Sequence, residues 1–384
     1  MENDGLFAFE LNETEGYWNV TRYYGKGEDA IFPVSYKGKP VKKVGDDKFS
    51  IFKKRIKTIK RVIIPEGYTS IGERAFYACE ELTSIKLPKG ITSIGEQAFC
   101  GCEKLTSIKL PVGLTSIGEG AFFECLRLIE IKFPETLASI GKMAFCSCIW
   151  LIRIKLPESL TSIGEGAFGC TGLAEITVDE NNPVFCSLDG VMFDKAMTTL
   201  RLFPQGKKGM YSIPDGIITI ETGAFCDCKL TGISFPQSLL YIKSFGFNGE
   251  QLTDITVNES NPNYCSIDGV LFDKEKKSLL EYPKNKDKTD YTVPDGIIRI
   301  ESRKFCECKN LVNIVLPESL EFIDDFAFAR CERLKAITFP MSIQYIGERL
   351  FESCSNLETI TLSRKTRIGI RLLRGFKGQF VYRD

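Results

Sequence analysis

Apolar and polar residues follow an order that returns every 23 positions. In Leu105-Thr-Ser-Ile-Lys-Leu-Pro111, Leu105, Ile108 and Leu110 have the L-x-x-L-x-L spacing of a short strand. The alternation predicts Ile108 and Leu110 inward with Lys109 outward. The proline, which has no N–H, closes the strand. Leu114-Thr-Ser-Ile117 is a second short apolar segment that returns along the other side. Gly118-Glu-Gly-Ala-Phe-Phe-Glu-Cys125 then places Ala121 and Cys125 at i and i+4, which predicts one or two turns of helix with a buried stripe.

Two independent markers keep the period. Pro65, Pro88, Pro111, Pro134 and Pro157 are each 23 apart, and Pro214, Pro236, Pro294, Pro317 and Pro340 follow at 57, 22, 58, 23 and 23. Phe76, Phe99, Phe122, Phe145 and Phe168 hold the same step, continued by Phe225, Phe247, Phe305, Phe328 and Phe351. One unit has too few apolar side chains to offset the entropy of ordering it. Stacking supplies the rest, because each rung covers its neighbours and shares ladder hydrogen bonds with them. The expected fold is an α/β, β-rich solenoid with a parallel sheet on the concave face and short strands and helical turns on the other side. Leu82, Leu105, Leu128 and Leu151 should form one buried column.

The two long steps are a rung plus an insertion, placed near 177–211 and 256–291. The insertions are copies at an offset of 79: Asn182-Pro-Val-Phe-Cys-Ser-Leu-Asp-Gly-Val-Met-Phe-Asp194 matches Asn261-Pro-Asn-Tyr-Cys-Ser-Ile-Asp-Gly-Val-Leu-Phe-Asp273. Asp189-Gly190 and Asp268-Gly269, each between short apolar runs, predict a β-hairpin in each copy. Residues 1–58 break the repeat. Phe7, Phe9 and Leu11 alternate, then Trp18, Val20 and Arg22, so a hairpin cap over the first rung is expected. Residues 59–362 carry the repeats, and 363–384 are expected to cap the other end, since a bare solenoid end exposes core and ladder edge.

The unit L-T-S-I-x-L-P-x-x-L-T-S-I-G-x-x-A-F-x-x-C resembles the BspA-like leucine-rich repeats of bacterial surface proteins, over roughly residues 59–362. The resemblance implies an extracellular or surface-exposed, adhesin-like binding protein, and it brings no catalytic residues to carry over. The first residues, Met-Glu-Asn-Asp-Gly, show no export signal, so a cytoplasmic location stands as the alternative.

Composition narrows the chemistry. Fifty basic residues balance fifty acidic ones, which gives no pull toward nucleic acid, and no apolar run is long enough to span a membrane. Histidine is absent, which removes the commonest general base and zinc ligand together. Of fifteen cysteines, nine (Cys79, Cys102, Cys125, Cys148, Cys170, Cys228, Cys308, Cys331 and Cys354) read as one column of small core residues. Cys100, Cys146, Cys226 and Cys306 form Cys-x-Cys with that column, but there is no C-x-x-C, so free thiols are expected and no metal. Gly164-Glu-Gly166-Ala-Phe-Gly169 spells a dinucleotide fingerprint, yet a 23-residue rung does not supply the βαβ unit it needs. No cofactor is expected. Gly72, Gly95, Gly118, Gly141 and Gly164 suggest a positive φ, although Glu221, Lys243, Glu301 and Asp324 hold the same place later.

Two surface features stand out. Lys86, Lys109, Lys132 and Lys155 share one outward position in four consecutive rungs, with Arg153 beside them and Glu130 opposing. They are either a solvated face or a track for an acidic ligand. At the bend after the cysteine column most rungs are polar, but Leu126 and Ile149-Trp150 are not. Trp150 is either an exposed interface anchor or covered by the first hairpin. Basic runs at Lys53-Lys54-Arg55 through Lys60-Arg61, and at Arg364, Lys365, Arg367, Arg371, Arg374 and Lys377, are interleaved with apolar residues and read as capping segments.

The reading is a monomeric, non-catalytic scaffold for protein or glycan ligands, acidic ones included. Its rivals are an intracellular interaction protein of the same fold, favoured by unpaired cysteines, and an enzyme carried by the carboxylates of the insertions (Asp179, Glu180, Asp189, Asp194 and Asp268).

Overall fold

The computed structural model describes residues 2–45, 58–243, 247–248, 251–368, 376 and 378–383. Lys53, Lys54, Arg55, Arg371, Arg374 and Lys377 of the basic runs lie outside the described residues. The chain divides into two units, Met1–Lys207 with Gly223–Cys226, and Lys208–Thr222 with Asp227–Asp384. Each is a β-solenoid of stacked parallel strands.

The Ser-Ile dipeptide of each rung builds the first ladder of the first unit. Ser70–Ile71, Ser93–Ile94, Ser116–Ile117, Ser139–Ile140 and Ser162–Ile163 pair in parallel, Ser on Ser and Ile on Ile. The L-x-x-L-x-L strands build the second. Asp29–Ile31, Arg61–Ile63 and Ser84–Lys86 stack in register, as do Ser107–Ile108 with Glu130–Ile131 and Arg153–Leu156 with Glu175–Val178. A 23-residue step leaves each β-branched Ile over its own copy, so one-rung slips are the only alternative registers and the core face stays inward. Leu82, Leu105, Leu128 and Leu151 are fully buried as one column. Phe76, Phe99, Phe122, Phe145 and Phe168 stack with ring centroids 5.1–5.4 Å apart.

The predicted helical turns do not form: no helix occurs among the described residues. Ala121 and Cys125 are buried as expected, but by another route. The N–H groups that a helix would send back four residues go instead to the next rung. Arg74 N, Phe76 N and Ala78 N donate to the carbonyls of Glu96, Ala98 and Cys100 at 2.8, 2.7 and 2.7 Å. Aiming every second N–H sideways requires left-handed residues between tight turns. Arg74, Gln97 and Met143, and then Ala78, Glu124 and Ser147, all have positive φ. Each such residue costs about 1–2 kcal/mol, offset by an inter-rung bond that would otherwise leave a buried N–H orphaned.

Two further expectations change. Cys170 is not in the cysteine column: it is exposed, and it has the positive φ of Ala78, Glu124 and Ser147. Thr171 occupies the column place there, buried, with its hydroxyl donating to Phe168 O at 2.9 Å. The repeated glycines do not need positive φ either. A Cβ on Gly118 would lie 2.7 Å from the backbone of the rung before, and one on Gly141 would lie 2.5 Å from it. Close approach of rung to rung is what selects glycine there.

Ahead of the first rung, Phe7–Asn12 and Tyr17–Tyr23 pair antiparallel, and Tyr17–Tyr23 continues into the solenoid ladder through Trp18 opposite Val41 and Lys39–Val44. Trp18 is buried there. The first insertion is the expected hairpin, Phe185–Leu188 with Val191–Asp194, extended by Thr199–Leu202. Asp189 and Gly190 at its tip have φ of 50° and 75°, the pair of left-handed residues that a type I′ turn requires. The second unit repeats the device with Tyr264–Ile267, Val270–Asp273 and Ser278–Glu281, from which a parallel ladder runs through Arg299–Ile300, Phe322–Ile323 and Tyr345–Ile346. Its other ladder ends on Thr359–Ser363 paired with Gln379–Arg383.

Candidate functional surface

The outward residues of the second ladder form columns. One column runs Ile31, Ile63, Lys86 through paired strands, and Lys109, Lys132, Lys155 and Thr177 hold the same place in the rungs that follow. All four lysines are exposed. Their surroundings differ. Lys132 pairs with Glu130 at 3.2 Å on its own rung, and Lys155 with Asp179 at 3.5 Å. Among the described residues, Lys86 and Lys109 form no ion pair. Arg153 pairs with Glu175 across the strands at 3.3 Å. Exposed pairs of this kind contribute about 0–1 kcal/mol, so these side chains can be redirected at little cost.

The apolar bend lies on the same two rungs as Lys132 and Lys155. Trp150 is 57% exposed and Ile149 53% exposed, so the first hairpin does not cover them. Leu126, one rung earlier, is half-buried. The sequence reading missed two neighbours. Ile129 (54% exposed) and Ile152 (48% exposed) stand where the preceding rungs have Thr83 and Thr106. The signal was present, an aliphatic residue replacing threonine at an outward position, but it reads as noise until the register shows it facing solvent. A contiguous apolar patch rimmed by charge marks an interaction surface more often than scattered single residues do.

The first hairpin adds a wall. An open cleft of about 480 Å³, within the range of ligand pockets, is floored by Ile152, Ala174 and Thr177 and flanked by Arg153, Glu175, Asp189 and Lys207. Gly190 at the hairpin tip packs so closely that a Cβ would lie 3.3 Å from Glu175. Lys207 Nζ donates to the carbonyl oxygen of Asp189, tying the hairpin tip to the later part of the same insertion. Of the surface residues singled out in the sequence, Arg153 lines the cleft; Ile149, Trp150 and Lys155 lie on the same rung but outside its lining, and Lys86 and Lys109 lie on earlier rungs.

Asp194, and Asp273 at the matching place in the second copy, are engaged by the backbone, while Asp268 pairs with Lys288. Asp194 accepts from Thr198 N and Thr199 N at 2.8 and 2.6 Å and from the Thr198 hydroxyl at 2.8 Å. Burial opposes its charge, but these hydrogen bonds hold its carboxyl below the usual range. Asp273 accepts from Lys277 N and Ser278 N in the same way. Among the described residues no cluster of His, Cys, Asp and Glu has the arrangement to hold a metal ion.

A family model described as a BspA type leucine rich repeat region matches residues 69–187, 205–279 and 281–376. No curated protein matches the chain. Among solved structures, a leucine rich cell surface protein from Faecalibacterium prausnitzii is 25% identical with a TM-score of 0.51, over 95% of this chain and 89% of that one. The pneumococcal vaccine antigen PcpA is 21% identical with a TM-score of 0.57, over 100% and 85%. A leucine-rich repeat protein from Bacteroides ovatus is 21% identical with a TM-score of 0.53, over 100% of both chains. The last two likenesses concern the fold.

Proposed function

The chain belongs to the BspA-type leucine-rich repeat family, and from that premise we propose a non-catalytic scaffold that binds macromolecules at a bacterial cell surface. The observation that carries the reading is the exposed patch of Ile129, Ile149, Trp150 and Ile152 beside the cleft under the first hairpin. A tryptophan exposed in the turn that precedes the strand of its rung costs solubility and adds nothing to the core, which is the signature of a contact residue. Likeness to a leucine rich cell surface protein supports the location. The four lysines and Arg153 supply the charged part of the same surface, and the absence of histidine supports binding over chemistry.

The test is an array of proteins and glycans probed with the whole chain and with Trp150→Ala. Ligands that the parent holds and the variant loses support the reading. An array on which parent and variant bind alike removes the patch as the site. Surface biotinylation of cells that make the protein tests the location: labelling only after lysis overturns it.

A further inference from the structure

We infer that the ligand of this surface is an acidic segment of another protein, laid across the rungs with an apolar side chain over Ile152, next to Trp150, and carboxylates at Lys109 and Lys86. The inference rests on the binding role proposed above and deepens it by naming the partner's chemistry.

Shape favours a side chain over a sugar. A sugar platform presents flat ring faces edged by amides and carboxylates, whereas three of the four large exposed side chains here are branched isoleucines. Exposed branched side chains on either side of Trp150 in the chain, Ile149 and Ile152, offer apolar contacts to an aliphatic or aromatic residue.

Charge then fixes the sign of the segment. Lys132, Lys155 and Arg153 already have carboxylates on this chain, at 3.2, 3.5 and 3.3 Å. Lys86 and Lys109 have none among the described residues. They hold the same place in consecutive rungs, about 5 Å apart by the rung spacing, and repel until an anion lies over them. The unmatched positive charge therefore sits on the rungs before the apolar patch.

Geometry sets the spacing. Ile152 lies two rungs beyond Lys109, about 10 Å, and three residues along the strand, about another 10 Å. The diagonal of about 14 Å is spanned by four or five residues of extended chain. A fitting ligand carries its carboxylates that far from its apolar anchor.

The second hairpin is an internal comparison. At the offset of 79, Ile152, Arg153 and Ala174 become Thr231, Gly232 and Thr253, and Lys207 becomes Lys286, which is buried. The apolar floor and open charge exist in one copy, so each chain takes one ligand.

The experiment pans a phage-displayed random peptide library on the whole chain at low salt, then measures synthetic versions of the selected peptides. The expected peptides are rich in Asp and Glu, with an apolar residue four or five positions away, and bind 1:1. Only two tryptophans are present and Trp18 is buried, so binding is read from Trp150 fluorescence. Trp150→Ala, read by a labelled peptide, should weaken binding at least about tenfold. Lys86→Thr with Lys109→Thr should weaken it about tenfold at low salt and hardly at about 1 M, where the Debye length is about 3 Å. Unchanged melting temperatures keep both variants interpretable. Selection of neutral or basic peptides, or acidic peptides that both variants hold as the parent does, overturns the inference. A glycan signal lost in Trp150→Ala, with no acidic peptide selected, overturns the partner class and leaves the binding role standing. No Trp150-dependent ligand of either class removes both.

Discussion

The thiol of Cys125 donates a hydrogen bond to the carbonyl oxygen of Phe99, 26 residues earlier and one rung away, at 3.2 Å. Cys102 does the same to Phe76 and Cys148 to Phe122, both at 3.3 Å, and Cys331 does so to Phe305 at 2.9 Å. The phenylalanine carbonyl already accepts from the backbone N–H three residues on, Cys102 N to Phe99 O at 3.1 Å, and the thiol of the next rung takes its second lone pair. A thiol is small enough to fit in the core and polar enough to add this second, weak hydrogen bond. The cysteine column is therefore a row of weak hydrogen bonds as well as packing.

Thiol reactivity should follow. Burial pushes Cys125 and Cys102 well up and Cys100 to about 11. Ellman's reagent should modify few thiols in the native chain and many after denaturation; few in both states would overturn this. A raised folded pKa means stability that is complete below the unfolded value, about 8.5, and is lost as pH rises toward the folded one. Melting temperature should hold from about pH 6 to 8 and fall above about 8.5. Cys125→Val should flatten that alkaline fall.

Asn182 staples the first insertion to the rung before it. Its Nδ2 donates to Pro157 O and Leu160 O, both at 2.8 Å, while Oδ1 accepts from Val184 N at 2.9 Å and Phe185 N at 2.8 Å. The residue is fully buried. Asn182→Ala removes a partner from four backbone groups, of which Pro157 O keeps the Leu160 N–H, and should cost about 2–4 kcal/mol in urea denaturation. A loss under about 0.5 kcal/mol would show that water replaces the amide.

Glu281 and Lys304 pair at 3.2 Å with both side chains mostly buried. Burial pushes the Glu281 carboxyl up, and the Lys304 charge opposes that rise. Lys304→Met should cost about 2–3 kcal/mol at pH 7, below the range for a fully dry pair because some solvent reaches both. The raised carboxyl binds its proton more tightly folded than unfolded, so the penalty should shrink as pH falls through its folded pKa toward about 4.3. A penalty equal at pH 7 and pH 5 would refute the pairing as its cause.

Lys109→Thr should leave the fold intact and slightly stabilise it at low salt by relieving repulsion from Lys86. The gain should stay within about 0.5 kcal/mol and vanish near 1 M salt, where screening acts over about 3 Å. A destabilisation at low salt would mean that Lys109 has a partner of its own.

Much of this was legible beforehand. The inward Ile108 and Leu110, the leucine column, the Asp-Gly hairpins and the placement of Trp18 were read from spacing alone, because period and turn chemistry are local. The surface was read in part. Trp150 and the lysines were named, but Ile129, Ile152, Glu175 and Lys207 were not, since only the register shows which outward residues share a face.

By itself the sequence determined the rung, its 23-residue length and the residues inside it, because stacking identical units buries the same positions each time. The tertiary structure decided what joins the rungs. At Arg74, Ala78 and their copies the backbone turns left-handed because the next rung accepts its N–H groups. The helix expected there loses to bonds made 22 residues away. Glycine at Gly118 answers to the backbone above it, Cys170 sits outside the column that Thr171 fills, and the cleft at Ile152 exists because a hairpin tip returns to Glu175. Each is a contact between segments far apart in the chain, which a local pattern of apolar and polar residues does not encode.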